Sequence, residues 1–179
     1  MKLEQNWMDV VAPEFNNLNI GTIYGAPSNS VGRKIKIQTT AIKDLKPRAG
    51  YSLTFLIYDV DENKICKAKI ERLSLSREQL SKFVRHEIRK IDTSVKAKIG
   101  DKDYLIKVVC SIRKSNKIYS TLIIKKINEL LSEKVKDKDM KKLVEEVMDE
   151  KLQSEIKKEL YKIYPIRALE IREIEPYKK

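Results

Sequence analysis

The chain has 179 residues, of which 41% are hydrophobic and 36% charged, and its net charge is +12. This length suits one globular domain with a sizeable core and is short for two. No apolar run approaches the roughly 18 residues of a membrane helix, and the N-terminus MKLEQNWMDV lacks the pattern of a signal peptide, so we expect a cytoplasmic protein.

The excess positive charge lies in one part of the chain. Residues 64–126 carry 18 basic and 6 acidic side chains, whereas residues 1–63 carry 7 of each and residues 127–179 carry 13 of each. A heat-adapted composition, in which Lys and Glu rise together, explains a balanced segment but not the imbalance in the middle. The pattern therefore favours binding to a polyanion, with nucleic acid ahead of an acidic membrane.

The first half of the chain predicts mainly strands. Residues 1–30 combine Gly, Pro and Asn with little periodicity, which predicts an extended arm and loop. Alternation from Val31 predicts a strand, and residues 51–60 and 64–73 predict an antiparallel hairpin about the turn at 61–63.

The middle of the chain predicts a helix and a second hairpin. In SLSREQLSKFVRHEIRKID, Ser76 and Gln79 form a capping box, and Leu80, Phe83, Val84, Ile88 and Ile91 recur at helical spacing. Alternation on both sides of the turn GDKD then predicts a hairpin over residues 93–112.

The last third predicts helices followed by a strand. One helix is expected at 120–135, capped by Ser120 or Thr121, and a second at 139–163 with a break near Asp149. Pro165 cannot continue a helix, so the alternation that follows predicts a final strand. We expect this strand to return to the sheet that begins near Val31.

The order of these elements predicts an α+β fold with an antiparallel β-barrel-like core flanked by several α-helices. Residues 1–30 are expected to be an N-terminal arm, and residues 31–179 a single globular domain.

Few residue patterns suggest catalysis. His86 stands alone beside Arg85, and the carboxylates of EEVMDEK lie at spacings suited to ion pairs with lysines. The glycines form no phosphate loop, and the two cysteines, which form no CxxC pair, are expected to be small core residues. We therefore predict no enzyme activity, no catalytic residues, no metal and no cofactor.

A basic surface over the two hairpins and the central helix is the remaining candidate site, since cations on such a surface neutralise phosphates. The predicted phosphate contacts are Arg33, Lys34, Lys36, Lys67, Lys69, Arg72, Arg77, Arg85, Arg89, Lys96, Lys98, Lys107, Arg113, Lys114 and Lys117.

Aromatic residues that could stack on bases are few in this segment, namely Phe83, Tyr104 and Tyr119, and two of them fall on predicted core faces. Binding to the backbone and shape of folded RNA is therefore favoured over reading of single strands. Trp7 and Phe15, on the expected arm, are predicted to pack against the core.

Several motifs resemble one protein family. They are W-x-D-V near the N-terminus, Ala12-Pro13, Phe15-Asn16, Ile20-Gly21, Gly32-Arg33, the LSREQLSKFVRHEIRKID segment and KIYPIRALEIREIE near the end. Together they span nearly the whole chain, and it resembles the archaeal and eukaryotic small-subunit ribosomal proteins called S-three-a-e, or S-one-e in unified naming.

This resemblance implies a structural protein on the platform of the small ribosomal subunit, near the messenger exit, with no catalytic activity. The implied partners are small-subunit rRNA, neighbouring small-subunit ribosomal proteins and messenger RNA near the exit, and no membrane. The short N-terminus MKLEQN contrasts with the basic tail usual in the family, and the absence of the long eukaryotic C-terminal extension favours an archaeal origin.

Two other classes of function remain open from the sequence. A non-ribosomal protein-interaction module would use its C-terminal helices to dock a partner, with the basic surface serving solubility. An enzyme would need a triad, metal set or phosphate loop that the residue patterns do not supply.

Overall fold

The computed structural model of the chain describes residues 5–61, 63–113, 117–136 and 138–177. Within these residues the strands are β1 (Asn6–Ala12), β2 (Leu18–Gly25), β3 (Lys34–Gln38), β4 (Tyr51–Val60), β5 (Ile65–Leu75), β6 (Ile88–Ile99), β7 (Lys102–Arg113) and β8 (Ile166–Pro176). The helices are α1 (Arg77–Ser81), α2 (Lys117–Lys134), α3 (Met140–Met148) and α4 (Lys151–Tyr161).

The strands form one mixed sheet with the order β2-β1-β5-β8-β7-β6, and β4 pairs with both β5 and β3 outside this path. All neighbours are antiparallel except β1 and β5, which run parallel. The predicted α+β class is confirmed, but the sheet is open, so the expected barrel-like core describes its curvature only loosely.

β5 joins the two halves of this sheet because it changes partner along its length. Its first residues pair with β1, where Val10 lies opposite Cys66, and its last residues pair with β8, where Ser74 lies opposite Glu173. β4 covers the other edge of β5 throughout.

Both predicted hairpins are present. β4 and β5 pair from Tyr51 opposite Leu75 to Val60 opposite Cys66, and β6 and β7 pair over twelve consecutive residues from Ile88 opposite Arg113. Strict alternation, with turn residues between the strands, specified both of them.

Three of the helices pack against the sheet, with α3 in contact with β5. α2 packs against β6 and α4 against β8, while α2 and α4 lie side by side with Tyr119 stacked near Tyr164 at 5.0 Å between ring centroids. The predicted break near Asp149 is confirmed, since Glu150 adopts a left-handed conformation with φ of 61° between α3 and α4.

The predicted N-terminal loop is wrong. Residues 6–12 and 18–25 form the antiparallel strands β1 and β2, and Met8, Val10 and Ala12 are fully buried in the main core. The register shifts between Val10 and Val11, opposite Gly21, so the glycine that suggested a loop marks a β-bulge.

The predicted central helix is wrong beyond its first turns. The Ser76 cap is confirmed, because its hydroxyl accepts a hydrogen bond from the Gln79 amide, but α1 ends at Ser81 and β6 begins at Ile88. Ile88 and Ile91 match helical spacing, yet residues 88–99 pair with β7, and this tertiary contact overrides the local pattern.

The expectation for the last strand is confirmed, and one about a helix end is corrected. β8 follows Pro165 and returns to the sheet that contains β3, where it pairs with β5 and β7. α2 begins at Lys117, so neither Ser120 nor Thr121 is its cap.

Arg48 ties the loop before β4 to the helices and to β8. Its guanidinium donates to the Val147 carbonyl at 3.0 Å and to the Glu170 carboxylate at 2.6 Å. The Tyr51 hydroxyl donates to the Ile171 carbonyl at 2.9 Å. These bonds hold the β4 end of the sheet against the α3–α4 joint.

Four charged side chains form a network across the β5–β8–β7 junction. Glu173 bonds Arg72 of β5 and, at 2.8 Å, Lys107 of β7, and Glu175 bonds Lys107 at 2.5 Å and Arg72 at 3.2 Å. Burial raises the pKa of Glu173, but the hydrogen bonds from Lys107 and Arg72 outweigh it and hold this pKa below its ordinary value.

We predict that Glu173→Gln lowers the free energy of unfolding at pH 7 by about 1–2 kcal/mol, because Gln loses the charge that Arg72 and Lys107 bind. The ionised Glu173 stabilises the fold above about pH 4.5, and this contribution is lost as pH falls through the lowered folded pKa. Urea unfolding between pH 7 and pH 3 should therefore show the deficit of the variant shrinking with acidity.

Glu170→Gln is the matched control for this experiment. Burial raises the pKa of Glu170 despite the nearby Arg48, so ionisation of this group opposes folding as pH rises through the folded pKa. The pH trend of its variant should have the opposite sign. Identical trends in the two variants would contradict the role of the network.

Candidate nucleic-acid interface

The predicted phosphate-binding residues differ in whether a neighbouring acid compensates their charge. Lys114 lies outside the described residues, and the other fourteen divide into those that bind a carboxylate and those that do not.

The first group is neutralised by neighbouring acids. Arg72 and Lys107 belong to the network with Glu173 and Glu175 on β8. The other two members also bind acids: Lys34 on β3 binds Glu71 at 2.6 Å on β5, beyond the intervening β4, and Lys67 binds Asp61 at 2.7 Å in the turn between β4 and β5. Counting charges along the sequence does not reveal the pairing of Arg72 and Lys107. Their acids come from the last third of the chain, which is balanced in charge, and β8 brings them beside cations of the basic middle third.

The second group makes no salt bridge to an acid among the described residues. It comprises Arg33, Lys36, Lys69, Arg77, Arg85, Arg89, Lys96, Lys98, Arg113 and Lys117. Some of these contact neutral groups: Arg33 donates to the Tyr24 carbonyl at 3.0 Å, and Lys69 lies 5.3 Å from the centre of the Tyr58 ring. Such contacts leave the positive charge uncompensated.

Four lysines from distant parts of the chain line a groove of about 600 Å³ at the edge of the sheet. Lys96 and Lys98 project from β6, and Lys136 and Lys138 follow α2. The groove forms because α2 packs on β6 and so carries the segment after its C-terminus to the tip of the β6–β7 hairpin. We call this surface the lysine groove.

Within the lysine groove, one lining residue is acidic, namely Asp139. Lys138 also binds Glu146 at 2.5 Å outside the lining, and Lys96 donates to the Tyr177 hydroxyl at 2.6 Å. Among the described residues, four lysines thus meet two acids in and beside the groove, which leaves a positive excess. The sequence prediction includes Lys96 and Lys98 but not Lys136 and Lys138. These two lie in the run KVKDKD, within the last third of the chain, where acidic and basic residues are equal in number.

Three further cations without an acid partner among the described residues lie where β6 begins and β7 ends, and the hairpin register points Arg89 and Arg113 to opposite faces of the sheet. Arg113 lies opposite Ile88 in the hairpin, and Arg89 lies opposite Ile112 and donates to the Ser120 hydroxyl at 3.4 Å. Lys117 begins α2 nearby in the chain. Arg77 and Arg85, on α1 and the turn after it, are exposed as expected but lie on different elements from this cluster.

The aromatic predictions are confirmed in part. Phe15 is buried as expected and packs edge-on against Phe55. Phe83 and Tyr104 are also buried, so they cannot stack on bases. The prediction for Trp7 is wrong: its side chain is 69% exposed on the outer side of β1.

The titratable groups give no catalytic constellation among the described residues. His86 is exposed, and in that part of the chain no three His, Cys, Asp or Glu residues gather as a metal site would require. Cys66 and Cys110 are free and buried, as predicted, and burial raises the pKa of Cys110 to about 12. Such a thiol is protonated and unreactive at neutral pH.

None of the described helices is long and apolar enough to cross a membrane.

Comparison with known proteins decides the family. The model of the ribosomal S3Ae family matches residues 3–179. The chain belongs to this family. The resemblance inferred from the sequence is thus confirmed.

Similar proteins come from archaea, in agreement with an archaeal member. Small ribosomal subunit protein eS1 of Archaeoglobus fulgidus is 29% identical over 177 residues, which covers 96% of this chain and 83% of that protein. Its namesake in Methanopyrus kandleri is 27% identical over 177 residues, covering 94% and 83%. The protein of the same name in Halorubrum lacusprofundi is 27% identical over 179 residues, covering 96% and 81%.

We predict that Lys107 reacts more slowly than Lys98 with an amine-acylating reagent at pH 7.5. Hydrogen bonds to Glu173 and Glu175 raise the pKa of Lys107, so less of its amine is in the reactive neutral form. Mass spectrometry of partly labelled protein measures both rates. The double variant Glu173→Gln, Glu175→Gln should speed labelling of Lys107 alone, and equal rates in the unchanged protein would contradict the division into paired and unpaired cations.

Proposed function

We propose that the chain is a structural constituent of the small ribosomal subunit in the cytoplasm, where it binds the backbone of small-subunit rRNA on the platform near the messenger exit and supports translation. Its family and the names of its archaeal relatives support the ribosomal role. Neighbouring small-subunit proteins and messenger RNA near the exit are its further partners, and no catalytic step belongs to this role.

The lysine groove is the observation that carries RNA binding. Lys96, Lys98, Lys136 and Lys138 converge on one concave surface from segments that lie about forty residues apart in the chain. Folding thus places like charges together, at a cost in mutual repulsion that a bound polyanion removes. Phosphates in the groove release condensed counterions, which gives affinity without base contacts.

The chemistry of the groove favours backbone over base recognition. Lysine ammonium groups act as point charges and suit phosphate oxygens, and no aromatic ring is among the residues that line this groove. Besides the lysines and Asp139, the lining consists of Ala97, Gly100 and Ser132, whose small side chains leave the lysines accessible to a phosphate chain.

An exposed apolar strip on α2 supports contacts with neighbouring ribosomal proteins. Ile118 and Leu122 lie one turn apart and are 62% and 44% exposed, beside the half-exposed Tyr119. Scattered exposed apolar residues are ordinary, but a strip of three at the start of one helix suits burial in an assembly.

We predict that the triple variant Lys96→Glu, Lys98→Glu, Lys136→Glu binds rRNA more weakly and loses its place in the small subunit. The plot of log affinity against log salt should become shallower by roughly 2, because each lost phosphate contact removes about 0.7–0.9 from the slope. Filter binding over a salt series and sucrose gradients of cell extract measure the two effects.

The control is Lys43→Glu, Lys46→Glu, Lys158→Glu, which changes three exposed lysines outside the groove by the same total charge. It should keep both the salt slope and sedimentation with subunits. Equal losses in both variants would show that total positive charge, and not the position of the lysines in the groove, determines RNA binding. An unchanged protein that stays at the top of the gradient while subunits are intact would favour the protein-interaction module instead.

A further inference from the structure

We propose that Trp7 and Tyr24 form a stacking platform for an unpaired RNA base, with Arg33 placed to bind an adjoining phosphate. This inference rests on the proposed function and adds a base-contacting site to the backbone contacts of the lysine groove.

The two rings form an exposed cross-strand pair. Trp7 lies directly opposite Tyr24 in the β1–β2 hairpin, and the ring centroids are 5.3 Å apart at an angle of 53°. Their neighbours Met8 and Val10 point into the core, so Trp7 faces outward, and the side chains of Trp7 and Tyr24 are 69% and 50% exposed. β2 pairs with β1 alone, so the pair lies at an open edge of the sheet.

The contacts of this pair explain its orientation but not its exposure. Cross-strand aromatic pairs stabilise a hairpin by a modest amount. That gain is available to a pair on the buried face as well, whereas here two large π faces meet solvent. An exposed aromatic pair is the arrangement on which nucleic-acid bases stack, because every base offers a π face of similar size.

Arg33 supplies the positive charge beside the platform. One of its guanidinium nitrogens donates to the Tyr24 carbonyl at 3.0 Å and lies 3.1 Å from the position that a Cβ on Gly25 would take. Because Gly25 and Tyr24 face opposite sides of the sheet, the guanidinium lies at the edge of β2, toward the face away from the rings. Arg33 makes no salt bridge to a described acid, and a guanidinium carries five N–H donors in a planar fork. The donors left over can bind phosphate oxygens without breaking the bond to Tyr24.

The next outward cross-strand pair favours a base over other occupants of the platform. Asp9 and Thr22 follow Trp7 and Tyr24 on the same face, and both are exposed and polar. The Asp9 carboxylate would repel a phosphate placed on the rings, so the sugar-phosphate backbone would pass over the edge of β2, where Arg33 lies. A docked protein helix would need apolar area that continues past the rings, which this polar pair interrupts.

Trp7 is the one tryptophan of the chain, so its fluorescence reports on the platform directly. We would titrate the full chain with a short single-stranded RNA and with an abasic oligonucleotide of the same phosphate number. Both should bind through phosphates, but only the RNA that carries bases should quench Trp7. Trp7→Ala should weaken binding of that RNA by about 5- to 150-fold, the range for loss of one stacked base, and leave abasic binding unchanged.

Three further variants test the need for a ring at position 7, the role of Arg33 and the specificity of the effect for this aromatic pair. Trp7→Phe keeps a ring and should retain most of the affinity, whereas Arg33→Ala should weaken binding of both oligonucleotides. Tyr161→Ala removes an exposed ring from α4 and should change neither affinity. Thermal melts check that each variant folds, which is expected because the changed side chains are exposed.

Each alternative outcome overturns the platform. Equal quenching by both oligonucleotides, or unchanged affinity in Trp7→Ala, would show that no base stacks on Trp7 while leaving the proposed function intact. Loss of subunit incorporation in Trp7→Ala with unchanged RNA affinity would identify a protein-docking surface instead. Failure of both oligonucleotides to bind would count against the proposed function itself.

Discussion

The junction of β5 with β8 is the constraint on which the rest of the structure depends. Two residue pairs, Leu73 opposite Ile174 and Ser74 opposite Glu173, connect the β1–β5 part of the sheet to β8, which then pairs along nearly its whole length with β7. So short a ladder supplies few hydrogen bonds. The network of Arg72, Lys107, Glu173 and Glu175 reinforces it on one face, and the core residues Leu73 and Ile174 reinforce it on the other.

This junction also decides which cations remain available for a ligand. The last strand carries carboxylates into the centre of the basic region, where they bind Arg72 and Lys107 and take them out of the candidate interface. Among the cations with no acid partner in the described residues, Lys36, Lys96 and Lys98 lie on the edge strands β3 and β6, whereas Lys69 lies on the central strand β5. The network itself balances two cations with two carboxylates, while four lysines line the groove where α2 and β6 meet.

Those parts of the fold with strong local signals could be predicted from the sequence. The β6–β7 hairpin combines alternation with a turn, and Pro165 ends the helical region and precedes a strand, so local chemistry and tertiary structure agree there. At residues 82–92 the local pattern conflicts with the tertiary structure, and in β1 the local pattern is weak. Ile88 and Ile91 fit a helix as well as a strand, and β1 is specified by its parallel pairing with β5, a long-range contact that no local pattern reveals.

The candidate site shows the same limit. Lys96 and Lys98 could be predicted because their alternation with buried residues marks them as outward, whereas Lys136 and Lys138 join them only through the packing of α2 on β6. The sequence predicts an arm at residues 1–30, and an aromatic residue on such an arm is expected to pack against the core. As part of a strand whose alternate residues Met8 and Val10 are buried, Trp7 must face outward.

The order of the strands separates the two proposed RNA-binding surfaces. The lysine groove lies at the β6 edge and the Trp7–Tyr24 platform at the β2 edge, which are the two ends of the sheet path. Five inter-strand spacings of about 4.8 Å put roughly 24 Å of sheet between them. Sites so far apart without shared partners contribute additively to binding. A folded RNA that reaches both must present a backbone to one edge and an unpaired base to the other, so binding at both sites selects for its three-dimensional shape.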